Sequence, residues 1–254
     1  MQEVDHTKNI IEAENITFSY DHNKVLSNIN LKIHKGDYLV LAGPNGAGKT
    51  TLLKIMLNLL SPDQGQVKLF NKNIEEFKDW SKVGYVSQRV TDFDLNFPAT
   101  AYEVVLMGRY GKRGILHQMT KEDHANTVKA LKDVGMYEHR DILIGNLSGG
   151  QQQRIFIARA LAAEPEIIFL DEPTTGVDLA AQDDFYKLLR ILNRDFKLTL
   201  VLISHDVERV ANEAMHIAYI NHSLTFCESP DEFVKIMRDK NLNEDILNNT
   251  KIKC

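Results

Sequence analysis

An eight-residue stretch has the residue types and spacing of a loop that binds phosphate: Gly43-Pro44-Asn45-Gly46-Ala47-Gly48-Lys49-Thr50. Its glycines allow the backbone to turn tightly enough for several N–H groups to point at one anion. The ammonium group of Lys49 can reach the β- and γ-phosphates of a nucleotide, and the Thr50 hydroxyl can occupy a ligand position on Mg²⁺. This stretch, the phosphate loop, therefore predicts a nucleoside triphosphate site that uses magnesium.

The segments on either side of the phosphate loop place it between a strand and a helix. The apolar run 38–42 is suited to a buried strand, and residues 51–57 have the length and apolar content of a helix. A helix that begins here adds its partial positive charge to the anion site. The motif thus has the strand–loop–helix context that phosphate binding requires.

Two adjacent carboxylates, Asp171 and Glu172, follow the apolar run 167–170. At the carboxyl end of a parallel sheet they would open into the same crevice as the phosphate loop. We expect Asp171 to hold Mg²⁺, through water, and Glu172 to orient and deprotonate the attacking water. Acidic residues also end strands at solvated turns, but the presence of the phosphate loop favours the hydrolytic role.

A second glycine-rich stretch, Leu147-Ser148-Gly149-Gly150-Gln151, stands directly before a predicted helix at 148–163. Ser148 can cap that helix, and the two glycines leave its first N–H groups open to an anion. An ordinary capped helix is the alternative. Because the phosphate loop already holds a nucleotide from one side, this second surface suggests a nucleotide clamped between two copies of the chain.

Hydrophobic periodicity gives the order of the other elements. An antiparallel hairpin is expected first (15–20 and 25–33), followed by strands at 66–70, 83–87, 167–171 and 198–204, helices at 148–163 and 179–193, and a final hairpin at 215–220 and 224–227. Helical periodicity between about 100 and 138 indicates a helical insert. Alternating strands and helices predict an α/β fold with a mostly parallel sheet covered on both faces.

Composition limits the classes of function. The 254 residues are 43% hydrophobic and 26% charged, and no apolar run reaches the roughly 18 residues of a membrane-spanning helix. The polar start of the chain lacks a secretory signal, so we expect a cytoplasmic location. A net charge of −5 argues against broad nucleic-acid binding. The two cysteines, Cys227 and Cys254, have no metal-ligand spacing and are expected to be unpaired thiols.

The motifs together resemble a known family. Over the chain from Asn15 to Glu232, the order of the motifs resembles that in the ATP-binding subunit of ABC transporters. These motifs are 43–50, Gln88, 147–151, 167–172 and His205. This resemblance implies a P-loop NTPase core with an N-terminal antiparallel β subdomain and a helical insert. It implies one domain, residues 1–254, with the insert at about 89–160. The polar, Asn-rich composition at the end of the chain predicts a frayed tail at 240–254.

The resemblance also assigns roles to individual residues. It implies that Tyr20 stacks on adenine, that His205 contacts the γ-phosphate, and that Gln88 approaches both Mg²⁺ and the attacking water. Asp178 either touches the partner's phosphate loop or caps the following helix. The residues expected to bind ATP are Tyr20, Gly43, Pro44, Asn45, Gly46, Ala47, Gly48, Lys49, Thr50, Thr51, Ser148, Gly149, Gly150, Gln151 and Asp178; those expected at Mg²⁺ are Thr50, Gln88 and Asp171; those expected to be catalytic are Glu172, His205 and Gln88.

The resemblance implies a head-to-tail homodimer closed by ATP, in which Ser148, Gly149 and Gly150 of one copy meet the γ-phosphate held by Lys49 of the other. Segments 84–89, 97–100 and 103–109 are similar to the ATPases of transition-metal importers, with zinc favoured and manganese next. Expected partners are membrane permease subunits and, indirectly, an extracytoplasmic metal-binding protein, with no nucleic acid. The chain would then lie at the cytoplasmic face of the membrane.

Further expectations concern the helical insert and the rival function. His117, His124 and His139 are interpreted as surface residues and not as a metal site. Phe97, Val104 and Met107 either line a groove for a permease helix or form the small core of the insert. A soluble ABC ATPase with another role, such as iron–sulfur cluster assembly, is the alternative function.

Overall fold

The computed structural model describes residues 5–88, 97–114, 117–227 and 229–239. Within these ranges the strands are β1 (Asp5–Tyr20), β2 (Asn23–Lys35), β3 (Tyr38–Ala42), β4 (Gln64–Leu69), β5 (Lys72–Asn73), β6 (Val83–Val86), β7 (Ile167–Asp171), β8 (Thr199–Ile203), β9 (His216–Asn221) and β10 (Ser223–Cys227). The helices are α1 (Lys49–Met56), α2 (Ala101–Leu106), α3 (Tyr110–Arg113), α4 (Lys121–Asp133), α5 (Gly149–Ala162), α6 (Leu179–Phe196), α7 (Val207–Ala211) and α8 (Pro230–Asp239).

The chain divides into two compact units. The first unit comprises residues 1–78 and 190–254, and the second comprises residues 79–189. The predicted insert begins inside the second unit, but residues 89–96 and the predicted frayed tail 240–254 lie outside the described residues. The combination of antiparallel and parallel strands with helices confirms the α/β class.

The first unit contains an antiparallel sheet in the order β2-β1-β4-β5. The predicted hairpin is present, but β1 begins at Asp5, ten residues before the predicted start at 15. In the same unit β3 pairs in parallel with both β8 and β9, and β9 continues into β10 as an antiparallel hairpin. All five residues of β3 and of β8 are buried, which explains their continuous apolar sequence.

The turn between β9 and β10 lacks the glycine that such a turn usually carries. His222 supplies the required conformation with a φ of 59°, in the left-handed region. The short helix α7 and the helix α8 were not predicted. In α8, Phe233 is buried and its ring lies 5.6 Å from the ring of Tyr219.

The second unit pairs β6 with β7 in parallel and adds the helices α2 to α5 and the first part of α6. The predicted helical periodicity over 100–138 is divided among α2, α3 and α4, and both α2 and α4 pack against α5. Thr100 and Thr120 each begin a helix through a capping box. These two caps were not predicted, although the T-x-x-E and T-x-x-D patterns at these positions could have revealed them.

A buried ion pair joins the helices of the insert. The Arg109 guanidinium donates to Asp123 Oδ1 at 2.8 Å, and both side chains are almost fully buried. Asp123 Oδ2 also accepts hydrogen bonds from the backbone N–H and the hydroxyl of Thr120, at 2.9 and 2.7 Å. Burial alone would raise the pKa of the Asp123 carboxyl, but these hydrogen bonds from Thr120 and Arg109 hold it well below its usual range.

We expect Asp123→Asn to lower the melting temperature at pH 7 by about 5 °C or more, because the buried Arg109 guanidinium then loses its buried anionic partner and keeps only the half-exposed Glu164 at 3.1 Å. A carboxyl with a depressed pKa contributes stability above its unfolded pKa of about 3.9 and loses that contribution as pH falls. The difference in melting temperature between the two proteins should therefore shrink below about pH 4. Thermal unfolding from pH 7 to pH 3 measures this, and a pH-independent difference would contradict the role of the charged pair.

One cysteine differs from its prediction. Cys227, buried at the end of β10, is disulfide-bonded, so the expectation of an unpaired thiol there is wrong. Cys254 lies outside the described residues. Among the described residues, none of the helices is both long and apolar enough to cross a membrane.

Candidate ATP site

The phosphate loop lies in the first unit between β3 and α1, as its sequence predicts. Gly46 and Gly48 have φ angles of 80° and 99°, which a residue with a side chain rarely adopts. A Cβ on Gly43 would come within 2.1 Å of the Ile220 carbonyl oxygen in β9. Gly48 precedes α1 and has no side chain with which to cap it, so the first N–H groups of α1 are available to an anion.

Lys49 is the one charged residue in the sequence of the phosphate loop, and it is only 5% exposed. Its ammonium donates to the carbonyl oxygens of Gly43 and Pro44, each at 2.9 Å. The side chain therefore bends back over its own loop and holds a positive charge there. This arrangement is suited to the outer phosphates of a nucleotide.

Two other predicted residues belong to the first unit. Tyr20 ends β1 with 45% of its surface exposed, and its ring meets Phe18 edge-on at 4.8 Å. The hairpin that carries it reaches the phosphate loop, because a Cβ on Gly48 would lie 2.6 Å from Leu26 in β2. His205 is exposed after β8, and the backbone N–H of its neighbour Ser204 donates to Leu41 in β3. The phosphate loop and His205 thus leave the same edge of the paired strands.

Gln88, Asp171 and Glu172 lie in the second unit. Because β6 and β7 are parallel, with Val86 opposite Leu170, residues that follow these strands emerge at one edge. There the Gln88 amide donates to Glu172 Oε2 at 3.2 Å. The structure therefore brings together two of the three predicted catalytic residues.

The two carboxylates have different surroundings. Asp171 is only 4% exposed at the end of β7, whereas Glu172 is half-buried and has a φ of 43°. A residue other than glycine with this φ is strained, and such strain is concentrated at functional sites. The pKa of the Tyr85 hydroxyl is raised, first by burial and then by the negative charge of Asp171.

The second glycine-rich stretch forms the start of α5. Ser148 Oγ accepts from the backbone N–H of Gln151 at 3.3 Å, and Gln151 Oε1 accepts from the N–H of Ser148 at 3.0 Å. The predicted cap is confirmed, and the side chain of Gln151 is part of it. A Cβ on Gly150 would lie 3.1 Å from the Ala181 Cβ, so α5 packs closely on the start of α6.

Asp178 precedes α6, and its Oδ1 accepts from the backbone N–H of Ala181 at 3.0 Å. Capping was one of the two roles left open for this residue. Gln153 was not among the predicted site residues, although its amide donates to the Pro173 carbonyl beside Glu172. A glutamine in the largely apolar buried face of a helix is the signal that could have identified it.

The residues of the insert confirm some expectations and correct others. His117 and His124 are exposed, as predicted, while His139 is half-buried. Phe97 and Met107 are exposed, but Val104 is buried and belongs to the core of the insert, so it is not part of an exposed groove. Within the described ranges, His, Cys, Asp and Glu form no group of three that could hold a metal ion.

The comparison with known proteins decides the family. Residues 26–175, which include the phosphate loop, the start of α5 and both carboxylates, match the ABC transporter family. The chain belongs to this family. An ABC transporter ATPase binds and hydrolyses ATP and couples hydrolysis to transport, and this is the activity of the chain.

Individual ABC proteins are similar over most of the chain. The zinc uptake system ATP-binding protein ZurA of Listeria monocytogenes is 43% identical over 92% of this chain and 91% of its own length. The manganese transport system ATP-binding protein MntB of the same species is 40% identical, over 84% of this chain and 88% of its own length. A dimeric ATP-binding cassette in a post-hydrolysis state with ADP and Pi superimposes with a TM-score of 0.70 at 30% identity, covering 86% of this chain and 98% of that one.

Proposed function

We propose that this ABC ATPase powers the uptake of a transition metal through a separate permease, with zinc as the favoured cargo and manganese next. The observation that carries the cargo is the 43% identity to a zinc uptake subunit over nearly the whole chain. The similar but lower identity to a manganese subunit keeps manganese as the second cargo. The metal itself is the cargo of the permease, and the ATPase supplies the energy.

In this proposal the phosphate loop holds ATP. The glycines of the loop and the N-terminus of α1 bind the phosphates, and Lys49 moves from its own carbonyl partners to the β- and γ-phosphates. Thr51, buried in the first turn of α1, binds beside Thr50. Tyr20 stacks on adenine, because its ring is exposed at the end of a hairpin that contacts the loop.

Hard oxygen ligands suit magnesium. The Thr50 hydroxyl, the Gln88 amide oxygen and the Asp171 carboxylate are oxygen donors of this type, and a Mg²⁺ site that also uses phosphate oxygens needs only one or two carboxylates. The residues therefore fit the ion, which when bound neutralises charge on the β- and γ-phosphates. Asp171 supplies its carboxylate from the end of β7, at the edge where Gln88 also emerges, which suits a ligand to a cation.

Glu172 is the proposed general base. Its carboxylate accepts a hydrogen bond from Gln88, so its orientation is restricted, and part of its surface remains accessible to water. It takes a proton from the water that attacks the γ-phosphorus, while His205 contacts the γ-phosphate. Glu172 and the Gln88 amide that orients it therefore act directly on the attacking water.

Two copies complete each site in a head-to-tail homodimer. Ser148 and Gly149 are exposed at the N-terminus of α5, where the Ser148 hydroxyl and the backbone N–H groups of Gly149 and Gly150 meet the γ-phosphate bound by Lys49 of the partner copy. The likeness to a dimeric cassette that holds ADP and Pi supports this arrangement. Asp178 caps α6 in the free chain, and its proposed second role is a contact with the partner's phosphate loop in the closed dimer.

The helical insert is the proposed docking site for the permease, at the cytoplasmic face of the membrane. Phe97 and Met107 are exposed apolar residues there, at 37% and 39% of their surface. Gln88 precedes this region and connects it with Glu172. An extracytoplasmic metal-binding protein delivers the cargo to the permease and has no direct contact with this chain.

The cargo is tested by metal uptake in cells that lack or carry the wild-type chain, together with its permease. Cells that carry the chain should accumulate labelled zinc several-fold faster, and excess unlabelled zinc should compete more strongly than excess manganese. If excess manganese competed more strongly than excess zinc, manganese would replace zinc as the proposed cargo. If the uptake of neither metal depended on the presence of the chain, the import proposal would be wrong.

A further inference from the structure

The loop that follows β7, residues 172–178, carries the proposed base and is fixed by several hydrogen bonds. The Thr175 hydroxyl donates to the Glu172 carbonyl at 3.1 Å. The Gln182 amide donates to the carbonyls of Thr174 and Val177, at 3.3 and 2.8 Å. Thr175 lies in the loop and Gln182 in the helix that directly follows, so these bonds are local.

Gln153 makes a different kind of connection. It lies in α5, twenty residues before its partner, and its Nε2 donates to the carbonyl oxygen of Pro173, the residue directly after Glu172. Since α5 begins at Gly149, one rigid helix connects the anion-binding stretch at its start with the backbone that carries the base. The start of α5 lies beside the same loop, because a Cβ built on Gly149 would be 3.7 Å from the Val177 side chain, an ordinary contact distance.

The stability of the fold does not explain a glutamine at this position. Gln153 is 1% exposed, and within the described residues its Oε1 has no hydrogen-bond partner. A buried acceptor without a partner is unfavourable. The neighbouring α5 residues Ile155, Phe156 and Ile157 are buried and apolar, so an apolar side chain would fit this environment at lower cost.

The backbone beside Gln153 is the part of the loop that most needs support. Glu172 has a φ of 43°, a strained conformation that persists only where surrounding contacts enforce it. The direction of the Glu172 side chain, and hence its 3.2 Å contact with Gln88, depends on this backbone. The hydrogen bond from Gln153 to the carbonyl of Pro173, the residue after Glu172, restricts how far the strained peptide can relax.

We propose that Gln153 is a positioning residue for ATP hydrolysis: its hydrogen bond to Pro173 holds the Glu172 carboxylate in the orientation that the reaction requires. The inference rests on the proposed role of Glu172 as the base. Gln153 itself does not touch ATP. It acts through the backbone, and its loss therefore affects the chemical step more than nucleotide binding.

Gln153→Met tests this, because methionine has nearly the same length and removes the N–H donor. The kcat for ATP hydrolysis should fall about 10- to 100-fold while KM changes less than about twofold, as expected when a catalytic group is misplaced. The melting temperature should stay within about 3 °C, since the substitution removes one unpaired acceptor and creates another. ATP with Mg²⁺ should still produce the dimer, measured by its mass in solution.

Thr127→Val is the matched control. Thr127 is fully buried in α4 and donates to the Asp123 carbonyl at 2.8 Å, so this variant also loses one buried hydrogen bond in the second unit. Its kcat should stay within about twofold of the wild type. Gln153→Leu, a second apolar variant without a donor, should reproduce the low kcat of Gln153→Met.

Three results would overturn the inference: a wild-type kcat for Gln153→Met, an equal loss of kcat in Thr127→Val, or a loss of folding or ATP-induced dimerisation in both Gln153 variants. Glu172→Gln is measured in parallel, because it tests the proposed base separately from the positioning role of Gln153. If Glu172→Gln is inactive while Gln153→Met is fully active, only the positioning role fails. If Glu172→Gln hydrolyses ATP at the wild-type rate, the assignment of the base fails.

Discussion

Glu172→Gln should hydrolyse ATP at least about 100-fold more slowly than the wild-type chain, because the amide cannot accept the proton of the attacking water. The substitution keeps the length of the side chain and leaves Asp171 and the phosphate loop unchanged. ATP and Mg²⁺ should therefore still bind, and the ATP-bound dimer should accumulate because hydrolysis no longer opens it. Phosphate release and the mass of the protein in solution with ATP measure the two effects.

Glu138→Gln is a suitable control for this experiment. Glu138 is exposed in the second unit, so its substitution makes the same change of net charge far in sequence from the proposed base. It should leave both phosphate release and the monomer–dimer equilibrium at their wild-type values. An unchanged hydrolysis rate in Glu172→Gln would show that another group acts as the base.

Lys49→Ala should weaken ATP binding about 10- to 100-fold, since one charge-assisted hydrogen bond to phosphate contributes about 1.5–3 kcal/mol. Lys49 is 5% exposed and its ammonium lies over the phosphate loop, where it exchanges its two carbonyl partners for the phosphates of the nucleotide. Titration with a fluorescent ATP analogue measures the affinity. ADP binding should weaken less, because ADP lacks the γ-phosphate.

Lys54→Ala provides the matched control for charge. Lys54 belongs to the same helix α1, in its last turn, and is half-buried. Removing it changes the net charge equally but takes no donor from the phosphate loop, and the affinity for ATP should stay within about twofold of the wild type. Equal weakening by both substitutions would indicate a general electrostatic effect and would contradict a specific contact by Lys49.

The site motifs could be predicted from sequence because each of them combines a short fixed spacing with a strong local signal. The glycines of the phosphate loop require positive φ angles, and the structure has them at Gly43, Gly46 and Gly48. The apolar runs before Gly43 and Asp171 are fully buried strands. Ser148 was predicted as a cap because a serine before a helix satisfies the free N–H groups of the first turn.

Contacts between distant segments could not be predicted in the same way. The pairing of Arg109 with Asp123 depends on how α4 packs beside the turn that carries Arg109, and the bond from Gln153 to Pro173 depends on how α5 packs against the loop after β7. No local pattern encodes either contact. Val104 was assigned either to an exposed groove or to the core, because hydrophobic periodicity identifies the apolar face of a helix but does not show what packs against that face. The turn at His222 was uncertain because a residue other than glycine took the left-handed conformation.

The central claim is tested most directly by comparing zinc uptake in cells whose chains differ only at residue 172. Cells that carry the permease receive equal amounts of the wild-type chain or of Glu172→Gln, and the initial rate of labelled zinc uptake is measured. We predict that the variant lowers the rate to that of cells without the chain, because hydrolysis at Glu172 drives each transport cycle. Zinc uptake at the wild-type rate in the variant would contradict the account.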